Sequence, residues 1–235
     1  MGKRRAGSGV GCADRAPSAA PKAPSPSKYD AAYAAKKDFV ARPNAFLARC
    51  LTRIADAQHA QYARPRKPRR KRRALDIGLG QGRNAMLLAR RGYDTTGIDR
   101  NEVGADAARR VAAARGLRIN VVVGDTESYP FGRNRWDLIV LLYYPMPMIL
   151  IERIKAAVRP GGHLVIERFS RPDACTNARD RRDTRRRSPM IRALLDWHVL
   201  HYENDEFESD WHWNGEAPTG PIVRLLARKP RMRER

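Results

Sequence analysis

The chain has 235 residues, of which 42% are apolar and 31% are charged, and its net charge is +22. This apolar content is sufficient to bury a core, so the composition excludes a chain that is disordered throughout. No run of 18 or more apolar residues occurs, which excludes a membrane-spanning helix. The three cysteines, Cys12, Cys50 and Cys175, lie far apart and predict neither a disulfide framework nor a zinc ribbon. We therefore expect a reducing, cytoplasmic setting and no metal site.

The positive charge is concentrated in four segments: 1–28, 64–73, 171–192 and 224–235. Residues 64–73 alone carry eight basic side chains and no acidic one. The rest of the chain is close to neutral, so the charge is expected on tails and loops and not in the core. Such segments favour polyanions through counterion release, and solvated basic segments are an equally good interpretation.

Composition divides the chain into a tail and one domain. Residues 1–28 are rich in Gly, Ala, Ser and Pro and predict a disordered basic tail. One domain is expected over 29–229, with a basic linker at 64–73 and an arginine-rich loop at 171–187. Residues 230–235 form a second basic tail.

The domain begins with a helical pattern. Phe46 to Ile54 place apolar residues at three- and four-residue spacing after Pro43 and Asn44, which predicts a helix. Short apolar runs then alternate with helical patterns, which is typical of βαβ units on a parallel sheet. The predicted strands are Ala74–Ile77, Tyr93–Ile98, Arg118–Val123, Trp136–Leu142 and His163–Arg168, and the predicted helices are Arg83–Arg91, Asn101–Arg115 and Met148–Val158.

The order of elements changes after Phe169. A helix is predicted near Met190 to Asp196, followed by two strands, Trp197–Tyr202 and Pro221–Ala227. No helical pattern between these strands is long enough for a parallel crossover, so we expect them to pair antiparallel.

The segment that carries the chemistry begins with the first predicted strand. Asp76 ends this strand, and three glycines then alternate with other residues up to the helix at Arg83: Gly78, Gly80 and Gly82. Glycines allow a sharp turn and close approach of a ligand, while the helix start offers free N–H groups and partial positive charge. A dinucleotide-binding loop, G-x-G-x-x-G, would need glycine where Arg83 stands, so a nicotinamide cofactor is disfavoured.

The chain resembles the class I S-adenosylmethionine (SAM)-dependent methyltransferases in its Asp-x-Gly-x-Gly-x-Gly loop and in Asp99, the acidic residue at the end of the second strand. The resemblance extends through Gly124-Asp125, through Trp136 to Val140, and through the Arg-Pro-Gly-Gly turn at 159–162. It covers about 29–229 and looks closest to small-molecule methyltransferases of the tellurite-resistance-like group. It implies a Rossmann-like α/β/α sandwich whose seven-stranded, mostly parallel sheet has an antiparallel C-terminal strand.

The resemblance also implies roles for single residues around SAM. Gly78, Gly80 and Gly82 would pass under the methionine part of SAM. Asp76 would hold the SAM amino group directly or through water, and Asp99 would accept hydrogen bonds from the ribose hydroxyls. Asp125 would accept from the adenine amino group, with Thr126 beside it.

Three residues are candidates for the acceptor side, which should lie beyond the C-terminal ends of the strands. Tyr143 and Tyr144 follow the fourth strand and are expected either to line the methyl-transfer pocket or to belong to the core. Glu167 ends the fifth strand and would serve as a base or form a salt bridge. Tyr29 and Tyr33 would cap the cofactor or form a packing face.

These observations favour a SAM-dependent methyltransferase that acts on a small-molecule acceptor. RNA is a less favoured acceptor, with the basic segments as phosphate contacts. A non-catalytic SAM-binding interaction protein is the third hypothesis. The methyl acceptor and the oligomeric state are left open by the sequence.

Overall fold

The computed structural model describes residues 42–60, 70–144, 148–169, 189–210 and 219–231. The predicted disordered tail, Tyr29, Tyr33, the linker up to 69 and the arginine-rich loop lie outside these residues. The described helices are α1 (Ala45–Ala60), α2 (Arg83–Arg90), α3 (Glu102–Ala114), α4 (Met148–Ala157) and α5 (Pro189–Ala193). The strands are β1 (Arg73–Ile77), β2 (Asp94–Asp99), β3 (Ile119–Val123), β4 (Trp136–Leu142), β5 (Val158–Phe169), β6 (His198–Glu208) and β7 (Thr219–Arg228).

The strands form one seven-stranded sheet with the order β3-β2-β1-β4-β5-β7-β6. The first five strands are parallel, whereas β7 pairs antiparallel with both β5 and β6. This arrangement confirms the predicted fold, including the antiparallel C-terminal pair.

The core lies on both faces of the sheet because the central strands place buried apolar side chains on both faces. Every residue of β4 except Asp137 is buried. Leu138 and Val140 pack with Phe46 and Leu47 of α1 on one face, while the opposite face packs against α4 and α5 through Leu150 and Ile154, among others. Strands buried on both faces are read in sequence as continuous apolar runs, and this is why β1 and β4 were predictable.

Two strand boundaries differ from the prediction by more than two residues. β5 begins at Val158, five residues before the predicted start, because the expected Arg-Pro-Gly-Gly turn is part of the strand, with a register irregularity opposite β4. Gly161 takes a φ of +78° within this stretch. β6 continues to Glu208 because its polar outer residues pair with β7 over its whole length.

The parallel strands bring their C-terminal ends to one edge of the sheet. β1 pairs with β2 up to Ile77 and with β4 up to Leu141, so the loops that follow these strands are neighbours. β4 ends at Leu142, since the next residue, Tyr143, takes a φ of +57°. The candidate site is built at this edge.

Candidate functional site

The glycine loop between β1 and α2 has a left-handed backbone at all three glycines. The φ angles of Gly78, Gly80 and Gly82 are +78°, +51° and +81°, a region that L-residues rarely adopt. A Cβ on Gly78 would lie 2.5 Å from the Tyr144 ring, and one on Gly82 would lie 2.9 Å from Ala108 of α3. Both glycines thus allow protein groups to approach the backbone closely, in addition to the turn itself.

The loop is fastened to the end of β2. The N–H groups of Gly78 and Leu79 donate to the Ile98 carbonyl oxygen at 2.9 and 3.0 Å. The Gly80 N–H donates to Oδ2 of Asp99 at 2.7 Å, and Oδ1 of Asp99 accepts from the Asn101 N–H at 2.9 Å. Each oxygen of this half-buried carboxylate can accept a further hydrogen bond. The acidic residue predicted for the ribose is therefore held in place by the predicted methionine loop.

Asp76 lies beneath the loop with only 1% of its surface exposed. Its carboxylate accepts from the Ala85 N–H of α2, but its Oδ2 atom has no hydrogen-bond partner within the described structure. Burial raises the pKa of Asp76 to about 8, and the nearby Arg83 charge offsets only part of this increase. A buried carboxyl with an open acceptor position favours a cationic donor placed above the loop.

The end of β3 joins the same cluster. The Gly124 N–H donates to the Asp99 carbonyl oxygen at 2.9 Å. Asp125 is exposed, and its Oδ1 accepts from the Glu127 N–H at 2.8 Å in a local turn. Thr126 is buried, and its hydroxyl lies 2.5 Å from the Tyr144 hydroxyl.

The two tyrosines after β4 point in different directions. The Tyr144 ring lies against Gly78 and reaches Thr126. Tyr143 instead packs toward Phe169, with ring centroids 5.5 Å apart, and its backbone N–H donates to the Glu167 carbonyl oxygen at 2.7 Å. Burial and the adjacent Glu167 carboxylate raise the pKa of the Tyr143 phenol, so it stays protonated and can donate a hydrogen bond.

Glu167 is 1% exposed and belongs to a buried polar network that the sequence did not indicate. Its Oε1 accepts from Nδ2 of Asn44 at 2.6 Å, and its Oε2 accepts from Nε of Arg224 at 2.6 Å. Tyr143 also hydrogen-bonds to it. The sequence predicted Glu167 as a base or a salt-bridge partner and Asn44 as part of a helix start, but no sequence pattern joined these residues to each other or to Arg224.

Asp210 connects this network to the glycine loop. Its Oδ1 accepts from Nδ2 of Asn44 at 3.1 Å and from Arg83 at 3.1 Å, while its Oδ2 accepts from the Ala45 N–H at 2.8 Å. The Asn44 backbone N–H donates to Oδ1 of Asn84 at 2.9 Å. The start of α1, the start of α2 and the end of β6 are thus joined by side chains. Arg83, which excluded the dinucleotide motif in the sequence, is the cation of this junction.

The described structure brings the seven predicted cofactor residues to one edge of the sheet. Tyr144 lies with them, whereas Tyr143 and Glu167 belong to the neighbouring network.

Within the described ranges, no group of three or more His, Cys, Asp or Glu side chains is placed to hold a metal ion. No helix in these ranges combines the length and the apolar character required to cross a bilayer.

Comparisons with known proteins agree with this geometry. Residues 74–162 match the family described as a methyltransferase domain. TehB from Haemophilus influenzae superimposes with a TM-score of 0.54 at 22% identity, over 76% of this chain and 62% of that chain. A SAM-dependent methyltransferase from Methanosarcina mazei gives a TM-score of 0.52 at 18% identity, over 70% of this chain and 95% of that chain. The fold is that of a class I SAM-dependent methyltransferase.

Curated relatives match a shorter stretch. The ubiquinone biosynthesis O-methyltransferase of Vibrio cholerae is 28% identical over 105 residues, which are 43% of each chain. The chain thus spans less than half the length of the curated relatives it matches. The part of the chain that matches the methyltransferase domain family carries the glycine loop, Asp99 and Asp125.

The residues present fit SAM on the evidence of the site itself. The Asp76 carboxyl has an open acceptor position where a cationic amino group would be held. Asp99, which is hydrogen-bonded to the glycine loop through Gly80, has acceptor capacity for hydroxyl groups.

Proposed function

We propose that the chain transfers a methyl group from SAM to a small-molecule nucleophile. The observation that carries the proposal is the buried Asp76 carboxyl, with its unpartnered Oδ2, under a glycine loop that is hydrogen-bonded to Asp99. A cationic amino acid group over Asp76 and a ribose at Asp99 would satisfy both carboxylates. SAM contains both groups, joined by a sulfonium.

The protein residues bind and orient in this proposal. Asp76 and the loop of Gly78, Gly80 and Gly82 hold the amino acid part, and Asp99 holds the ribose. Asp125 accepts from the adenine amino group beside Thr126. When bound, SAM supplies an electrophilic methyl group, so the main task of the protein is to hold the acceptor in line and exclude water.

The acceptor side is formed by the residues after β4 and β5. Tyr144 lines the transfer pocket, because its ring covers Gly78 and its hydroxyl is held by Thr126. Tyr143 stays protonated and donates its single hydroxyl hydrogen to Glu167, so its role is to border the pocket with its ring. Glu167 has both oxygens engaged, which supports a positioning role for this residue through Tyr143.

A small acceptor is supported by the contact beside Tyr143, where the Asp210 N–H donates to the Tyr143 hydroxyl oxygen at 3.3 Å. The curated relatives include an enzyme named for O-methylation in ubiquinone biosynthesis.

We also place the protein in the cytoplasm. Cys50 is a buried free thiol, which fits a reducing compartment.

The experiment that tests this function follows methyl-labelled SAM. The full chain is incubated with labelled SAM and either the dialysable fraction of a cell extract or total RNA, and S-adenosylhomocysteine is measured. The expected result is turnover with the dialysable fraction, at least tenfold reduced by Asp99→Ala. Turnover with RNA alone would assign the acceptor to nucleic acid, and SAM binding without turnover with any acceptor would contradict an enzyme.

A further inference from the structure

A polar cavity, the basic cavity, lies at the edge of the sheet opposite the glycine loop. It has a volume of about 260 Å³, and Arg70, Arg72, Arg159, Asp137 and His163 are among the residues that line it. Two of the basic segments seen in the sequence contribute to this basic cavity and its rim: the end of the linker before β1 and the chain after β7. The described ends of two basic segments therefore meet at one cavity.

The basic cavity contains more positive than negative charge. Asp137 accepts two hydrogen bonds from the guanidinium of Arg70, at 2.5 and 2.8 Å, and so balances one arginine. Arg72 and Arg159 add to this, and Arg231 lies at the rim, where its Nε would be 3.3 Å from a Cβ on Gly161.

His163 reports the electrostatic potential inside the basic cavity. It is 8% exposed, and its pKa is lowered to about 4 by burial and by the charges of Arg228, Arg231 and Arg72. Three separate cations therefore act on one buried ring. The same potential would attract an anion.

The arginines around the basic cavity are held in place by aromatic rings and backbone groups. The Arg72 guanidinium lies 4.7 Å from the centre of the Tyr93 ring. Arg135 stacks on Trp136 at 5.0 Å, and its carbonyl oxygen accepts from Nε of Arg159 at 3.2 Å. Ordered guanidinium groups lose little entropy on binding, and their planar donors match phosphate oxygens.

The position of the basic cavity separates it from methyl transfer. It lies at the start of β1, whereas the glycine loop follows the end of this five-residue strand. At ~3.3 Å per residue the two sites are about 15 Å apart along the strand. A phosphate held here is therefore not the group that receives the methyl.

We propose that the basic cavity is a phosphate-binding site that docks the phosphodiester backbone of a nucleic acid. The cavity is slightly below the ~300 Å³ at which small-molecule pockets begin, so it accommodates a phosphate group and not a whole nucleotide. Exposed cations adjacent in sequence to the lining residues, Lys71 and Arg133, extend the positive surface beside it. Several adjacent phosphates match this distribution better than a single free anion does.

The test is fluorescence anisotropy of a labelled 20-nucleotide oligouridylate with the full chain, measured over a series of salt concentrations. The variant Arg159→Gln/Arg231→Gln removes two cations from the basic cavity. The matched control, Arg110→Gln/Arg115→Gln, removes two exposed arginines on and just after α3. Circular dichroism shows that all proteins are folded, and inorganic tripolyphosphate serves as a competing small anion.

The expected result is salt-dependent binding in the wild type and the control. The cavity variant should bind at least fivefold more weakly, with the magnitude of its log-log salt slope reduced by about 1.4, because two phosphate contacts contribute ~0.7 each. Equal affinity and slope in all three proteins would overturn the proposal. Binding of tripolyphosphate without the oligonucleotide would also overturn it and assign the cavity to a small anion. SAM binding is measured in parallel, and since the cavity variant leaves the glycine loop intact, either proposal can fail without the other.

Discussion

At the scale of single residues, Asp76 has the most consequential environment. Its carboxyl is buried, its Oδ2 lacks a partner within the described structure, and its pKa is about 8 compared with an ordinary value of 3.8. The free protein therefore holds a proton on Asp76 at neutral pH. A cationic ligand would stabilise the charged form and release that proton.

This release predicts a pH dependence for SAM. Below pH 8 the proton must leave before the ion pair forms, so the affinity should rise up to tenfold per pH unit from pH 6 and level off above about 8. Calorimetry at pH 7 in buffers of different ionisation enthalpy should detect almost one proton released per SAM bound. Asp76→Asn should bind more weakly, with a flat pH profile. A wild-type affinity that is constant from pH 6 to 8 would contradict this role for Asp76.

Gly78 matters for a reason that the sequence did not supply. The sequence predicts that this glycine lets a ligand approach, but the structure places the Tyr144 ring where a Cβ would be. Gly116 provides a comparison because its φ is +63° and nothing lies within 4 Å of its Cβ position.

Gly116→Ala should lower the free energy of unfolding by about 1 to 2 kcal/mol, which is the cost of the left-handed conformation. Gly78→Ala should cost ~1 to 3 kcal/mol more, since the Tyr144 ring must move. Urea unfolding measures both values. In a Tyr144→Ala background the extra cost should disappear, and its persistence would show that Tyr144 is not the group that needs Gly78.

At the scale of elements, the loops after the strands form the candidate cofactor site, whereas the buried polar network joins a helix to the C-terminal strands. The loops after β1, β2 and β3 are joined through Asp99 and follow a local sequence pattern. The network joins α1, β5, β6 and β7 through Asn44, Glu167, Arg224 and Asp210. Its hydrogen-bonded pairs are up to 166 residues apart in sequence, so no local pattern indicated these contacts.

The network predicts a strong effect of Glu167 on stability. Glu167→Gln leaves the Arg224 guanidinium, 14% exposed, with Glu203 at 3.5 Å as its remaining acidic partner in the described ranges. Breaking a buried pair from one side costs about 3 kcal/mol. Glu152→Gln, which alters an ion pair whose carboxylate is 70% exposed, should cost less than about 1 kcal/mol. Urea unfolding midpoints compare the two, and equal midpoints would show that the Glu167 pair does not stabilise the fold.

At the scale of the whole molecule, the sequence predicted the order of elements and most boundaries to within one or two residues. The prediction was correct where residues close together in sequence determine the structure. β4 is a continuous apolar run and was predicted without error, and the glycines after Asp76 require a turn wherever they occur. The antiparallel pairing of β6 with β7 followed from the lack of room for a crossover helix.

The prediction was less accurate where contacts between residues distant in sequence determine the structure. β5 incorporates Gly161 and Gly162, which read locally as a turn, because β4 and the end of β7 pair around them. The opposite directions of Tyr143 and Tyr144 depend on one positive φ that no residue type signals. The gathering of basic segments at one edge depends on the sheet order, which brings the start of β1 near the end of β7.

The proposed methyl transfer depends on SAM binding at the edge formed by the glycine loop and Asp99. Isothermal titration of SAM into the wild type, Asp99→Ala and the control Asp106→Ala tests this most directly; Asp106 is an exposed carboxylate on α3. The wild type and the control should bind one SAM with equal affinity, and Asp99→Ala should lose ~1.5 to 3 kcal/mol, or about 10- to 150-fold in affinity. A folded wild type that binds no SAM, or an Asp99→Ala variant that binds it as tightly as the control, would contradict the account.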